Sequence, residues 1–296
     1  MNDWIKTFPT MESEQLSNLR RFIDASFRSF SREYGDALEH LFDPLREFLI
    51  FSERLMTQSP WPMVISAIAL LAWLASRSRK ITLGTVLTLL AIGYFGMWED
   101  TMKTISMIFV CTVVALVLGL PIGIAMSRWD RLQRAINPAL DVMQTMPSFV
   151  YLIPVVMLLG IGRVAGMIAV VVYAIPPVIR FTDLGIRLVR KDLLEAADAF
   201  GASTWQKMFN IQLPLALPTI MAGINQTIML SLAMVVIASM IGVQGLGQPV
   251  LKAIANQYFT MGMFNGLAIV GIAIIFDRVS QTYGKRLQKH LEVLHG

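Results

Sequence analysis

Long apolar runs separated by short charged punctuation constrain this chain more than any other feature. Residues 105–127 contain no charged side chain, and neither do residues 215–241. A helix needs about 20 predominantly apolar residues to cross a bilayer, and most of the runs here come near that length. Of the 296 residues, 55% are hydrophobic and 15% charged, whereas a soluble domain carries roughly 25% charge. Disorder, which needs low hydrophobicity and high charge, is excluded. A soluble enzyme would spread its apolar residues, and these are gathered. The expected fold class is an all-α, polytopic membrane protein.

Seven spans are expected, at about residues 60–75, 81–98, 105–127, 138–160, 164–181, 215–241 and 261–279. The first is short. Gly119, Pro121 and Gly123 interrupt the third, and Pro147 and Pro154 the fourth. Pro176 and Pro177 end the fifth. Prolines are tolerable in such helices where neighbours satisfy the freed carbonyls. Charge then fixes orientation. Arg77, Arg79 and Lys80 mark an inner loop, and Glu99 and Asp100 an outer one. Arg128, Arg131 and Arg134 fall inside. Residues 160–165, with one arginine, fall outside. Arg180, Arg187, Arg190, Lys191 and Lys207 are inside again, as are Lys285, Arg286 and Lys289. Every alternate loop is the basic one, as the positive-inside rule requires. The N-terminus is then outside. The count falls if the first two runs form a hairpin that does not cross, and the later orientation is unchanged. The net charge of +5 is accounted for by topology, without nucleic acid.

Residues 1–59 read differently. Leu16, Leu19, Ile23, Phe27, Phe30, Tyr34, Leu38, Leu41, Leu45 and Leu49 recur at steps of three or four, which is an amphipathic helix. Asp43-Pro44 breaks or kinks it. Such a helix suits a membrane surface; packing on its own bundle or on a partner is the alternative. Residues 1–15 are polar with no apolar core, so they are not a cleavable signal.

The most informative stretch is KDLLEAADAFGASTWQKMFNIQLPLALP, residues 191–218. It is too polar for a span and too long for a simple turn. Residues 191–200 suit a helix, with Ala196, Ala197 and Ala199 supplying propensity. Gly201 stops it. Ser203 is a plausible cap for a second helix over residues 204–211, which Leu213-Pro214 ends. A short helix, a glycine turn and a second helix on the basic side suit docking into a cleft of a peripheral subunit. A plain connection between spans is the alternative.

Glu195-Ala196-Ala197, then Gly201 after three residues, then Ile211-Gln212-Leu213-Pro214 after nine more, resembles the EAA loop of ABC-importer permeases. Residues 143–151 (MQTMPSFVY) with Ile153-Pro154, residues 174–180 (AIPPVIR), residues 237–242 (IASMIG) and residues 245–248 (GLGQ) resemble the glycine betaine/proline/choline permeases. The likeness covers about residues 98–283. It implies a type I ABC-importer transmembrane domain of about seven spans plus the N-terminal amphipathic helix, in a bacterial cytoplasmic membrane. It further implies a homodimeric pore, two ATP-binding subunits and an external substrate-binding protein. The solute would be glycine betaine, proline betaine, choline, carnitine or trimethylamine N-oxide. The chain would bind no cofactor itself, with ATP and Mg on the partner ATPase. Coupling to that ATPase falls on Glu195, Ala196, Ala197 and Gly201, and with less weight on Ile211, Leu213 and Pro214. The implied organisation is an N-terminal region at 1–59 and peripheral spans at 60–98. A core at 99–283 holds the coupling loop 182–214, and a cytoplasmic tail follows at 284–296.

Polar residues inside membrane helices are costly and usually face a bundle interior or cavity. Gln144, Thr145, Asn225 and Gln226 are therefore candidates for the translocation path. Holding helices together is the other common use of such groups. Phe149 and Tyr151 could meet a quaternary ammonium by cation–π attraction, or simply pack. Pro147, Pro154, Pro176 and Pro177 are hinge candidates or static kinks. Rival classes fare worse. No Walker, HExxH or GxSxG pattern occurs, Cys111 is alone, and His40, His290 and His295 are scattered. An ion-coupled transporter would hold charges in mid-span and a repeat, but Asp141 and Asp277 lie near span ends. An ABC permease for an amino acid is the nearer alternative.

Overall fold

Apolar runs without strand-like alternation fold here as helix. The computed structural model describes residues 10–293, and all regular structure among them is helical. The first nine residues of the N-terminal region lie outside the described residues, as do the last three of the tail with His295. The chain begins with α1 (Ser13–Leu41) and α2 (Asp43–Gln58), followed by a hairpin of α3 (Trp61–Ser76) and α4 (Arg79–Tyr94). The long α5 (Trp98–Arg128) and α6 (Asp130–Thr145) follow, then a 3₁₀ turn (Ser148–Tyr151) and α7 (Leu152–Leu159). Next come α8 (Arg163–Arg187) and the short α9 (Lys191–Ala199) and α10 (Thr204–Lys207). A π turn (Met208–Gln212) leads into α11 (Leu213–Ala238), and a 3₁₀ turn (Ser239–Ile241) closes it. The last helices are α12 (Gly247–Asn256) and α13 (Phe259–Val293).

Helix α8 is the centre, with α5 and α11 laid against it. Within a bilayer, close backbone approach supplies the packing that hydrophobicity cannot, so small residues mark the crossings. A methyl group at Gly123 of α5 would lie 2.7 Å from the Ile179 carbonyl of α8, and one at Gly223 of α11 would lie 2.6 Å from Phe181 Cβ. Pro176 and Pro177 fall in the buried stretch of α8, which continues through them.

Among the described residues, four helical runs are long and apolar enough to cross a membrane alone: Trp98–Arg128, Arg163–Arg187, Thr204–Ile241 and Phe259–Gln288. Two pairs pass only when taken together. They are α2 with α3, bent by 113°, and α6 with the 3₁₀ turn and α7, bent by 112°, so the count reaches up to six rather than the expected seven. The first two expected runs are α3 and α4, 16 residues each. At about 24 Å apiece they fall short of the hydrocarbon core. Arg77 at φ 50° ends α3, and Gly96 at φ +77° follows the end of α4. The hairpin nonetheless lies along α13. Phe95 stacks on Phe264 with centroids 5.0 Å apart, and Arg286 Nη1 donates to the Leu74 carbonyl at 3.2 Å. Phe264 and Arg286 are roughly 33 Å apart along the helix. The fourth expected run is not one helix. Met146, forced extended by the proline after it (φ −68°, ψ 131°), ends α6, and the chain turns at Pro147.

The N-terminal region divides in two. Leu49, Ser52 and Glu53 of α2 are buried, and α2 packs on α5. Helix α1 is mostly exposed and touches α7, where Ser31 Oγ donates to the Met157 carbonyl at 2.8 Å. Leu19, Ile23, Phe30 and Tyr34 of its apolar stripe are exposed. The break expected at Asp43-Pro44 separates the two helices, with Pro44 in the first turn of α2.

Candidate coupling loop and translocation path

The loop between α8 and α11 is built by local chemistry. Asp192 stands in the first turn of α9, and hydrogen bonding from the Arg190 guanidinium holds its carboxyl below the usual carboxylate range. At the other end Gly201 adopts φ +75°. Its N–H donates to the Asp198 carbonyl at 2.9 Å, and the Ala202 N–H to the Ala197 carbonyl at 2.9 Å. That pair of bonds is the Schellman motif, which favours glycine at the left-handed position. Ser203 then caps α10 in a capping box. Gln206 N–H donates to Ser203 Oγ at 3.3 Å, and Ser203 N–H to Gln206 Oε1 at 2.7 Å. An ion pair from Lys207 to Asp198 closes the two helices on each other.

Glu195 and Ala196 face solvent and Ala197 is buried. Phe200 is 92% exposed and Trp205 66%, and the Trp205 ring stacks on Phe209 at 5.7 Å. The loop thus presents Glu195 and large aromatic groups to solvent. Ile211 lies in the π turn, while Leu213 packs with the buried cluster of Ile186, Met208, Ala216 and Ile220. The second short helix does not end at Leu213-Pro214. Pro214 lacks an N–H, and in an α-helix its ring would press on the carbonyl four residues back. The π turn shifts the pairing, with the Leu213 N–H reaching the Met208 carbonyl, so α10 runs on into α11 as one rod.

A polar cluster at this end escapes a reading by local spacing. Asp183, buried in α8, accepts from Arg187 Nε at 2.8 Å and from Gln133 Nε2 at 2.6 Å. Arg187 also donates to Asp130 Oδ1 and to the Met126 carbonyl, both at 2.7 Å. Arg128 Nη2 donates to the Thr204 carbonyl at 2.8 Å, tying the end of α5 to α10. The i, i+4 pair Asp183/Arg187 is visible in the sequence, but its bonds to α6 are not. A second cluster lies at the opposite end. Arg163 donates to Glu53 Oε2 at 2.5 Å and to Gln244 Oε1 at 2.8 Å, joining α2, α8 and the segment after α11. Beside it, the Leu246 N–H donates to Thr104 Oγ1 of α5 at 2.9 Å.

The path candidates separate by environment. Gln144, Thr145, Phe149 and Gln226 are exposed on the chain. Thr145 Oγ1 donates to its own helix carbonyls at Asp141 and Val142, 3.0 and 3.2 Å away. Asn225 is held between helices. Its Nδ2 donates to Asp277 Oδ1 of α13 at 3.2 Å, and its Oδ1 accepts from Ser280. Tyr151 is buried, donates to the Met143 carbonyl and meets Tyr173 edge-on at 5.6 Å. Of the proline candidates, Pro147 stands at the 112° bend, Pro154 lies within α7, and Pro176 and Pro177 lie within the unbroken α8.

Residues 115–289 match the family described as binding-protein-dependent transport system inner membrane component. The chain belongs to that family. The matched part of this inner-membrane component starts within α5 and runs into α13, taking in the whole loop between α8 and α11. The chain is 47% identical over 233 residues to the glycine betaine/proline betaine transport system permease protein ProW of Escherichia coli (strain K12). That alignment covers 79% of this chain and 66% of the relative, so the chain spans about two thirds of that protein's length. It is 45% identical over 229 residues to the glycine betaine/carnitine transport permease protein GbuB of Listeria monocytogenes serotype 1/2a, covering 77% of this chain and 81% of the relative. The fold is also that of a chain in the inward-facing MetNI methionine ABC transporter, with a TM-score of 0.57 at 21% identity over 62% of this chain and 92% of that one.

Proposed function

We infer that the chain is the membrane-spanning permease subunit of an ATP-driven importer for a betaine-like or other quaternary-amine solute. The observation that carries this is the loop of α9, Gly201 and α10. It presents Glu195, Phe200 and Trp205 to solvent at the basic end of the bundle, and exposed aromatic groups beside a charge suit a protein partner. The loop docks on a separate ATPase subunit that carries ATP and Mg. Two copies of the chain form the pore, and an external binding protein delivers the solute. ATP-driven closure of the ATPases moves α9, and the pore opens to the outside; hydrolysis returns it. Within the pore Gln144, Thr145, Phe149 and Gln226 remain the path candidates, whereas Asn225 and Tyr151 serve as ties between elements. The outer helix α1 rests its apolar stripe on the bilayer surface. The identity to permeases named for glycine betaine supports the solute class.

The test is uptake by proteoliposomes holding the full complex. Radiolabelled glycine betaine accumulation that needs ATP inside and binding protein outside is the expected result. Accumulation driven by an ion gradient without ATP would overturn the reading.

A further inference from the structure

Opposite charges meet between α6 and α8 where no coupling or packing role has been given to them. Arg180 lies seven residues before Arg187, or about 10 Å in from the end of α8 that carries the coupling loop. Its Nη2 donates to Asp141 Oδ1 of α6. The Arg180 Nε is buried with no hydrogen-bond partner. The Asp141 side chain is 65% exposed, and exposed Gln144 follows it one turn later on the same face of α6. The pair sits about two turns in from the end of α8, and paired charges on membrane helices usually face a polar cavity or a transport pathway. This pair leaves one buried donor idle and its carboxylate open.

Resting on the reading of the chain as a betaine-type permease, we propose that Asp141 and Arg180 form a station in the translocation path that receives a zwitterionic solute. A quaternary ammonium has no hydrogen to donate, so charge and π faces are what hold it. A carboxylate is held best by two parallel donors of one guanidinium. The Nε and Nη2 edge of Arg180 supplies that fork once Asp141 lets go, and the freed Asp141 carboxylate faces the trimethylammonium group. The station is neutral when the two side chains hold each other and neutral again when a zwitterion lies between them. A solute carrying only the cation, such as choline, would pair with Asp141 and leave Arg180 without a counter-charge, forgoing the charge-assisted bonds that a zwitterion's carboxylate supplies. The station therefore discriminates by the solute's carboxylate.

The experiment is a ratio. The full complex in proteoliposomes is assayed for uptake of glycine betaine and of choline, each with wild-type chain, Arg180→Gln, Arg180→Lys and Asp141→Asn. Arg180→Gln is expected to lower the betaine-to-choline ratio about tenfold or more, the effect of one lost charge-assisted pair. Arg180→Lys should fall between, keeping the charge without the fork. Asp141→Asn should slow both solutes. A variant complex that assembles and keeps the wild-type ratio overturns the station. Should the variants fail to assemble, modification of wild-type Arg180 by phenylglyoxal, mapped by mass spectrometry, decides. Protection by glycine betaine and none by choline is expected, and equal rates with and without betaine overturn the proposal. If the wild-type complex carries neither solute, the functional reading fails first and the station with it.

Discussion

Gly201 holds a left-handed backbone with nothing within 4 Å of where a side chain would begin. A substitution there strains the chain but strikes no neighbour within it. Asn tolerates φ > 0, so Gly201→Asn should unfold within a degree or two of wild type. A β-branched residue does not, so Gly201→Val should lose about 1–2 kcal/mol in thermal unfolding in detergent. Gly201→Trp adds bulk on the exposed side, and co-purification with the ATPase should be lost while the chain still inserts. Retained ATPase in that pull-down would remove Gly201 from the docking surface. At the opposite end, Glu53→Gln breaks the pair with Arg163. Arg163 keeps a third of its side chain exposed, so the expected loss is about 1–2 kcal/mol rather than that of a fully buried pair. Removing both charges in a Glu53→Gln, Arg163→Met double variant should recover part of it, as a double-mutant cycle on thermal unfolding would read. Residue by residue, the shape of the loop between α8 and α11 was legible because its logic is local. A glycine cap and a capping box are written within three or four positions. Asn225 and Tyr151 were not, since what they touch, Asp277 and Tyr173, lies far along the chain.

Among elements, the junction of α10 and α11 carries the clearest test. The π turn holds one extra residue between α10 and α11. Pro214→Ala restores a donor and removes the ring, so the turn is expected to relax to ordinary α-helix. A one-residue change in register rotates α10 by roughly 100° relative to α11. Spin labels placed at Trp205→Cys and Leu230→Cys should report an altered distance in the variant; an unchanged distance would mean that the π turn does not depend on the proline. Cys111 is buried, which favours such labelling. The existence of most helices was legible from apolar length, but their breaks were less so. The fourth run looked continuous because its apolar residues are. One extended residue, Met146 before Pro147, was enough to divide it. The α3–α4 hairpin shows the reverse case. Each helix is short of a full crossing, yet α13 beside them supplies a surface along which they lie, and no pattern internal to residues 60–98 contains α13.

For the whole molecule, the alternating basic loops and the contacts between ends agree. Arg128, Arg187 and Arg286 engage Thr204, Asp130 and Leu74 at one end, while Arg163 engages Glu53 and Gln244 at the other. Engineered cysteines at Ser78 and Gly201 should react with an impermeant maleimide only in inverted vesicles, and cysteines at Gly96 and Tyr258 only in intact cells. Labelling of Ser78→Cys from outside would place the α3–α4 hairpin on the wrong side. Deleting residues 1–41 should leave the core's thermal unfolding nearly unchanged, because α1 is mostly exposed. Extending the deletion through residue 58 strips α2 from α5 and should lower it. The orientation expectation rests on charge placement, which is a property of each loop separately. The partition of residues 1–59 was not, because only tertiary packing separates a loosely held α1 from a docked α2. The run Thr204–Ile241 has one further consequence. Its 38 residues make a shaft about 57 Å long, gripped at its far end where Val243, Gln244 and Leu246 engage Gly166, Arg163 and Thr104. Torque applied to α10 would therefore reach the far end of α11 along one helical run, and the π turn is a gear in that shaft whose pitch evolution or an engineer could change without touching either end.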